Sequence, residues 1–274
     1  MTYFIGKLQY LIPQLWLSQL AGWLANRQHP QQLVHWVIKR FVAFYQVDLN
    51  EAILKQAEDY PSFNHFFTRE LQADARPFTE NAQHLLSPAD GHISQCGAII
   101  DQQLIQAKGH TYTLTDLLAT PAINPDWTQF ATIYLSPKDY HRIHSPMDMQ
   151  LTQSTYIPGN LFAVNQTSVH SIDSLFARNE RLICHFDTAN GPIVLIFVGA
   201  LIVGGIETVW QKNIKRQQKI VRQIHPSIPI KQGEEIGRFL LGSTIIMLLS
   251  DSINLTAKAD SSIQVKHVMA DCTK

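Results

Sequence analysis

The segment Leu241-Gly-Ser-Thr-Ile-Ile-Met-Leu-Leu249 sets a glycine and two hydroxyl residues directly before five apolar residues. A short apolar run bounded by turn residues is typical of a buried β-strand. Similar runs recur from Leu85 onward, separated by sequences rich in Gly, Pro and Asn, and they predict strands at Thr132–Leu135, Ile193–Val198 and Leu201–Val203. We therefore predict a mostly antiparallel β core, either sandwich-like or barrel-like.

Residues 1–70 differ from the rest because apolar side chains recur there at helical spacing. Pro13 and Pro30 stand at predicted helix starts, and two shorter helices are expected over Asn50–Tyr60 and Ser62–Glu70, the second with Ser62 as its N-cap. The two main apolar faces consist of Trp16, Leu17, Leu20, Trp23 and Leu24, and of Leu33, Trp36, Val37, Phe41 and Phe44. The predicted fold class is thus α+β, with a helical segment at 1–70 and a β-rich domain at 71–274.

Two uses of these helical faces remain open. They can pack within the chain or against a second copy. Alternatively they can lie at a membrane interface, which Trp and Tyr rings favour. In that case the cations Lys7, Arg27, Lys39 and Arg40 could meet anionic lipid.

Composition excludes some classes of protein. The 22 Lys and Arg residues balance the 22 Asp and Glu residues, which argues against a nucleic-acid binder. Cys96, Cys184 and Cys272 form no CxxC pair and predict reduced thiols in a cytoplasmic compartment. We expect neither a membrane-spanning helix nor a secretory signal. Lys212–Arg222 carries five cations and no acid, and we expect a solvated hairpin there rather than a phosphate-contacting surface.

Three short motifs hold the residues that could carry chemistry. They are Pro88-Ala-Asp-Gly91, Tyr140-His-Arg-Ile-His144 and Leu241-Gly-Ser-Thr244. Taken alone, Ser243 fits a strand-start serine, and His141 or His144 fits a surface or hydrogen-bonded histidine. The histidine pair raises the question of a metal, but no third and fourth ligands occur at suitable spacing, so we predict none.

Together the motifs permit a more specific reaction. A serine nucleophile needs a base, and the base needs an orienting carboxylate; His144 and Asp90 supply these types for Ser243. Gly242 has no Cβ, which leaves its carbonyl open to attack. Attack by Ser243 on that carbonyl would give an ester, and elimination with loss of ammonia would leave a pyruvoyl group. The spacing alone does not establish this route.

The motifs resemble those of the pyruvoyl-dependent phosphatidylserine decarboxylases of bacterial phospholipid synthesis, of the prokaryotic type I. The resemblance runs from about residue 60 to residue 250 with the motifs in family order. They are Phe63–Glu70, Ala75–Pro77, Ser87–Gly91, Tyr140–Pro146, Tyr156–Asn165, Leu175–Arg181, Val198–Ala200, Ile206–Thr208 and Gly237–Thr244.

The resemblance implies roles for individual residues. Asp90, His144 and Ser243 would form the self-cleavage triad, and cleavage between Gly242 and Ser243 would give a large chain 1–242 and a small chain 243–274. Ser243 would become the pyruvoyl group, whose ketone forms a Schiff base with the amine of phosphatidylserine. His141 would serve the decarboxylation step.

The resemblance also implies a setting for the protein. It implies peripheral attachment to the cytoplasmic face of the cell membrane, through an anionic lipid surface. It further implies a homodimer in which each protomer is a heterodimer of the large and small chains.

Two other functions stay open. A Ser-His-Asp lipid hydrolase without self-processing would keep an intact chain whose Ser243 reacts with a fluorophosphonate probe. A catalytically silent lipid-binding module would keep an intact chain that does not react with the probe.

Overall fold

The N-terminal segment is helical, as predicted. A computed structural model describes residues 8–201, 205–212, 214, 216–240 and 243–272, with only the backbone of Leu8 and Ser243. After a 3-10 turn at Leu8–Leu11 come α1 (Gln14–Ala25) and α2 (Gln31–Tyr45). Each begins directly after its predicted proline, where the missing N–H costs the helix nothing.

The two shorter helices are smaller than the sequence suggests. Over Asn50–Tyr60 only a 3-10 turn forms, at Ala57–Asp59. The turn ends at Tyr60 because Pro61 favours an extended backbone there, with φ −95° and ψ 123°. The other predicted helix reduces to α3 (Phe63–Phe67). Its N-cap is Ser62, whose hydroxyl accepts a hydrogen bond from the amide of His65 at 3.3 Å, as predicted.

The rest of the chain is mainly strand. The strands are β1 (His84–Leu86), β2 (Gly91–Ala98), β3 (Gln103–Ala107), β4 (His110–Thr113), β5 (Trp127–Leu135), β6 (Arg142–His144), β7 (Met149–Ile157), β8 (Arg181–Asp187), β9 (Ile193–Val198), β10 (Ile206–Thr208), β11 (Val221–Ile230), β12 (Glu235–Phe239), β13 (Ser243–Ser250), β14 (Ile253–Leu255), β15 (Ser261–Ile263) and β16 (Val268–Cys272). Short helices lie between them at α4 (Leu114–Leu118), α5 (Gln166–Val169) and α6 (Leu175–Arg178).

The central sheet has eight strands in the order β11-β7-β8-β9-β13-β5-β2-β15, and every neighbouring pair is antiparallel. This confirms the α+β class and the mostly antiparallel core. The sheet is open, with β11 and β15 at its edges, so the barrel-like alternative is wrong. Of the strand predicted at Leu201–Val203, the structure describes only Leu201, which lies in a turn.

Both faces of the central sheet are buried, which explains the unbroken apolar runs. In β9, Ile193, Leu195 and Phe197 enter one core, while Val194, Ile196 and Val198 enter a second core on the opposite face. Successive side chains of a strand point to opposite faces, so two-sided burial requires apolar residues at every position.

Different elements cover the two faces. The first core is closed by two small sheets, β10-β12-β6 and β1-β16-β14. The second core is closed by the β3–β4 hairpin and by α4, α5 and α6. The histidine motif lies on β6, which covers the first face and pairs with β12. Since β12 ends at Phe239 and β13 begins at Ser243, the motif lies close to the start of β13.

The N-terminal helices form a third core around Phe66 and Ile38, yet leave much of their apolar surface outside. In α1 the buried residues are the small Ser18, Gly22 and Ala25, so the predicted apolar face points outward. Exposed members of the two predicted faces are Trp16, Leu20, Trp23, Leu24, Leu33, Trp36, Val37 and Phe44. Among the described residues, no helix is long and apolar enough to cross a membrane.

The basic stretch at Lys212–Arg222 is not the hairpin we expected. It connects β10, which pairs with β12, to β11, which pairs with β7 in the central sheet. These two consecutive strands therefore belong to different sheets. The described residues between them, 209–212, 214 and 216–220, are irregular.

Ile196→Ala tests the two-sided burial. The Ile196 side chain is fully buried in the second core, and its truncation should lower the free energy of unfolding by about 3 kcal/mol. The matched control is Ile100→Ala, just after β2, where the side chain is 67% exposed and the loss should stay below about 0.5 kcal/mol. Urea unfolding followed by tryptophan fluorescence measures both. Equal losses for the two variants would contradict the proposed burial.

Candidate active site

Ser243 begins β13 between two neighbouring strands. Its backbone lies opposite Leu135 at the end of β5, and the next residue, Thr244, pairs with Val198 at the end of β9. Leu241, Gly242 and the side chain of Ser243 lie outside the described residues. The predicted cleavage site is therefore located through the Ser243 backbone at one end of the central sheet.

Asp90 is buried in the turn before β2, where it has three hydrogen bonds. Its carboxylate accepts from Arg76 Nε at 3.2 Å and Nη2 at 2.6 Å, and from the Val265 amide at 2.7 Å. At Gly91 a Cβ would collide with the carbonyl oxygen of Tyr134, so the absence of a side chain lets the turn lie close against β5. The turn is thereby held beside the strand that pairs with Ser243.

His144 lies on β6 and has a defined tautomer. Its Nδ1 donates to the Gly233 carbonyl at 2.8 Å, so Nε2 carries the lone pair that accepts from the Tyr140 hydroxyl at 3.0 Å. Burial lowers the pKa of His144, and the ring is neutral near pH 7. A neutral imidazole with a free-base nitrogen is what a general base requires.

His141 is fully buried next to the helical segment. Its Nδ1 donates to the Asp139 carbonyl at 2.8 Å, its ring centroid is 3.9 Å from that of Phe67, and Nε2 has no hydrogen-bond partner among the described residues. Burial, aided by the nearby Arg69 cation, lowers the pKa of His141 to about 3. His141 is therefore a neutral ring whose Nε2 is an unused acceptor.

The structure brings the three motifs to one region but does not join Asp90 to His144 directly. The His144 amide donates to the Pro88 carbonyl in the Asp90 turn at 2.8 Å. The Phe239 amide donates to the His141 carbonyl at 3.0 Å, which brings the chain leading to Ser243 alongside the histidine motif. In the described part of the chain, the Asp90 carboxylate and the His144 ring have separate partners.

Two cavities border this region. A cavity of about 870 Å³ is lined by Asp90, Tyr134 and Asp139, and extends to Gln106 and His170. A smaller one of about 230 Å³ is lined by charged or polar side chains, including Arg76, Tyr140, His144, Glu235 and Lys266. Asp90 and His144 thus face different spaces, and the larger one matches the size of a small-molecule site.

Sequence reasoning missed Asp139 and Arg69. The Asp139 carboxylate accepts from the amide and hydroxyl of Ser136, each at 2.7 Å. Burial raises its pKa, and the charge of Asp90 adds to the rise. Arg69 Nη2 donates to the carbonyls of Lys138 and Asp139 at 2.8 and 3.3 Å. An acid two residues before His141 was the available signal for Asp139, whereas Arg69 is brought to His141 only by the fold.

Comparisons with known proteins show which family the chain resembles. A family model described as Phosphatidylserine decarboxylase matches residues 63–269, and a second one, described as PSD, matches residues 6–46. The chain is 48% identical over 256 residues to the phosphatidylserine decarboxylase proenzyme of Alcanivorax borkumensis, which covers 89% of this chain and 86% of the relative. The proteins of the same name from Yersinia pestis and Yersinia pseudotuberculosis are also 48% identical, covering 89% of this chain and 87% of theirs.

These matches extend over the helical segment as well as the β-rich part. They confirm the resemblance drawn from the motifs, and they do not support the lipid hydrolase alternative. The chain belongs to the phosphatidylserine decarboxylase family.

Proposed function

We propose that this chain converts phosphatidylserine to phosphatidylethanolamine and carbon dioxide, after cleaving itself between Gly242 and Ser243. The observation that supports this best is the convergence of three separate motifs. The Asp90 turn packs against β5, the Ser243 backbone pairs with the end of β5, and His141 follows shortly after that strand. The large cavity beside them has room for a polar headgroup.

Self-cleavage requires little beyond groups already near Ser243. The Ser243 hydroxyl attacks the Gly242 carbonyl and gives its proton to the base, for which His144 is the candidate; the C–N bond breaks and an ester forms. Elimination then removes the α-proton of residue 243 and breaks its Cβ–Oγ bond, which releases Gly242 as a free carboxylate and leaves a Cα=Cβ double bond that rearranges to an imine. Water replaces the nitrogen, which leaves as ammonia, and a ketone remains. The neutral state of His144 supports its role as the base.

Asp90 can support His144 in two ways. It stabilises the turn whose Pro88 carbonyl accepts from the His144 amide, and this role needs no rearrangement. Alternatively, Asp90 can orient the His144 ring directly. For that, its carboxylate must give up a hydrogen bond from Arg76 and accept one from the ring instead. Arg76 is thus a positioning residue for the triad in either case.

The residues near Ser243 fit a pyruvoyl group. That group supplies a ketone for the substrate amine and takes up the electrons released with carbon dioxide. His141 is kept neutral by burial, and its unpartnered Nε2 is an acceptor that can place the substrate or take up a proton and pass it to the substrate α-carbon. The neighbouring apolar rings exclude water from that proton transfer.

We further propose that α1 and α2 attach the protein to the membrane surface on its cytoplasmic side. The support is the outward apolar face of α1 with Trp16 60% exposed and Trp23 54% exposed, and of α2 with Trp36 55% exposed. The Arg27 guanidinium lies 3.8 Å from the Trp23 ring centroid, a pairing suited to the headgroup level. Attachment there would bring the enzyme to its lipid substrate.

We also propose a homodimer, which is supported by an exposed edge of the central sheet. β11 is an edge of the central sheet, and its Ile224 is 74% exposed. An edge strand with an exposed apolar side chain is suited to pairing with a second chain. Each protomer of that dimer would contain a large and a small chain after cleavage.

Ser243→Ala should leave a single uncut chain, because no hydroxyl can attack Gly242. Wild type should give two chains, and the small one should be lighter than residues 243–274 by the mass of one ammonia. Ser261→Ala, on β15 of the same small chain and with its hydroxyl donating to the Lys258 carbonyl, is the matched control and should process normally. Intact-protein mass spectrometry measures all three, and one full-length species from active wild type would refute self-cleavage.

His141 and His144 should fail at different steps. His144→Ala should stall cleavage because the base is lost, whereas His141→Ala should cleave and then lose decarboxylation. Cleavage is followed on gels, and decarboxylation is followed as carbon dioxide released from phosphatidylserine in detergent micelles. His267→Ala, at an exposed position, is the control in both assays. Equal loss of cleavage in the two variants would rule out this division of roles.

Arg76→Gln should destabilise the chain and slow its cleavage. It leaves the Asp90 carboxylate buried without its cation, which should cost about 3 kcal/mol when measured in the uncleaved Ser243→Ala background. Glu51→Gln removes only the partly exposed second partner of Arg76, so it should cost less than about 1 kcal/mol and leave cleavage intact. Wild-type stability and cleavage rate in Arg76→Gln would show that the ion pair is dispensable.

A further inference from the structure

A cavity of about 270 Å³ opens where the first helical turn meets the β-rich part of the chain. Two glutamines tie its walls together across this junction. Gln14 Oε1 accepts from the Leu161 amide at 2.8 Å, and Gln9 Oε1 accepts from the Ala163 amide at 2.7 Å. The cavity is therefore a fixed feature of the way the helical segment docks.

Arg178 on α6 supplies a cation to this cavity. Its Nη1 donates to the Tyr10 hydroxyl at 2.6 Å, and its guanidinium lies 5.2 Å from the Tyr10 ring centroid and 5.0 Å from that of Phe162. Among the described residues, no carboxylate forms an ion pair with it. The rings of Tyr10 and Phe162 thus hold the planar guanidinium group of Arg178. Its remaining N–H groups stay available as hydrogen-bond donors to a ligand.

A second arginine lines the same cavity. Arg216 Nε lies 3.1 Å from the Glu180 carboxylate, and Arg216 Nη2 donates to the Gly159 carbonyl at 2.6 Å. Glu180 neutralises Arg216, so the lining keeps the net positive charge of Arg178. Because the whole chain is electrically balanced, an attraction for anions must come from local features of this kind.

The mouth of the cavity adjoins the outward apolar surface of the helical segment. Leu15 lines the cavity and is 44% exposed, and Leu11, at the end of the preceding 3-10 turn, is 84% exposed. A bilayer that covers these leucines with acyl chains presents its phosphates immediately beside them, since phosphates form the next layer of the membrane. The free cation lies at that boundary.

From these contacts we infer that the cavity binds the phosphate of an anionic glycerophospholipid whose acyl chains lie along Leu11 and Leu15. The Arg178 fork donates to two phosphate oxygens, a geometry that guanidinium groups match well. Arg216 adds charge at the far wall. The inference rests on the proposed membrane attachment and adds a lipid-class preference, which apolar faces alone do not give.

Arg178→Gln tests the inference in the processed, full-length enzyme. Binding is measured by flotation with vesicles of phosphatidylcholine, and of phosphatidylcholine mixed with phosphatidylglycerol. Wild type should prefer the mixed vesicles, and Arg178→Gln should weaken binding to them about fivefold, the effect of one cation near an anionic surface. Binding to phosphatidylcholine alone should be unchanged.

Three controls isolate the fork from the fold and from general charge. Lys258→Gln removes the same charge at an exposed position outside this cavity and should bind as wild type. Tyr10→Phe removes the hydroxyl contact but keeps the guanidinium, and should retain the preference. Arg178→Lys keeps the charge without the fork and should fall between wild type and Arg178→Gln.

The outcomes separate this inference from the proposals on which it rests. Wild type that floats with no vesicle would refute membrane attachment itself, whereas a preference unchanged in Arg178→Gln would overturn the cavity assignment alone. A raised KM of Arg178→Gln for phosphatidylserine in detergent micelles would assign the cavity to the substrate phosphate and overturn the bilayer-lipid site. Inorganic phosphate added at constant ionic strength provides a further test. If it abolished the preference of wild type for the mixed vesicles, the bilayer-lipid site would be overturned in favour of a simple anion site.

Discussion

The burial of β13 on both faces is the constraint on which the rest of the structure depends. Ile245, Met247 and Leu249 enter the first core, and Ile246 and Leu248 enter the second. A one-residue slip of this strand would exchange every side chain between two differently shaped cores. The register of β13 is therefore fixed, and its first residue, Ser243, is held at the end of the sheet. The self-cleavage that we propose between Gly242 and Ser243 would need such a fixed backbone on one side of the bond.

Much of this fold could be predicted from local sequence, because the apolar runs and the proline positions act locally. Pro13 and Pro30 marked both long helices, and the runs at Ile193–Val198 and Ile245–Leu249 marked the central strands. The errors arose where partners distant in sequence decide the outcome. Lys212–Arg222 looked like a hairpin, but β10 and β11 find partners in different sheets. Sheet closure likewise depends on edges, whose pairing no local pattern specifies.

In the candidate site too, some features could be predicted from local sequence and others could not. Residue types and motif order identified Asp90, His141 and His144 as candidates. The fold links their motifs, since the His144 amide donates to the Pro88 carbonyl and the Phe239 amide donates to the His141 carbonyl. Their hydrogen-bond partners could not be predicted, since Asp90 is bound by Arg76 and by the amide of Val265, 175 positions away. In a buried region each charge must find a counter-charge or donors. Which one it finds is decided by packing rather than by sequence spacing.

The helical segment connects the chemistry to the surface that we propose meets the membrane. At its inner end, Arg69 and His141 donate to the same carbonyl, that of Asp139, so the position of the helices and the tautomer of the histidine are coupled. At its outer end, Gln9 and Gln14 bind the loop that follows β7. A headgroup is only a few ångströms from its acyl chains, so an enzyme acting on it must hold its reactive groups at a set depth. Hydrogen bonds at both ends of the helical segment would fix that depth, which apolar contact alone would not determine.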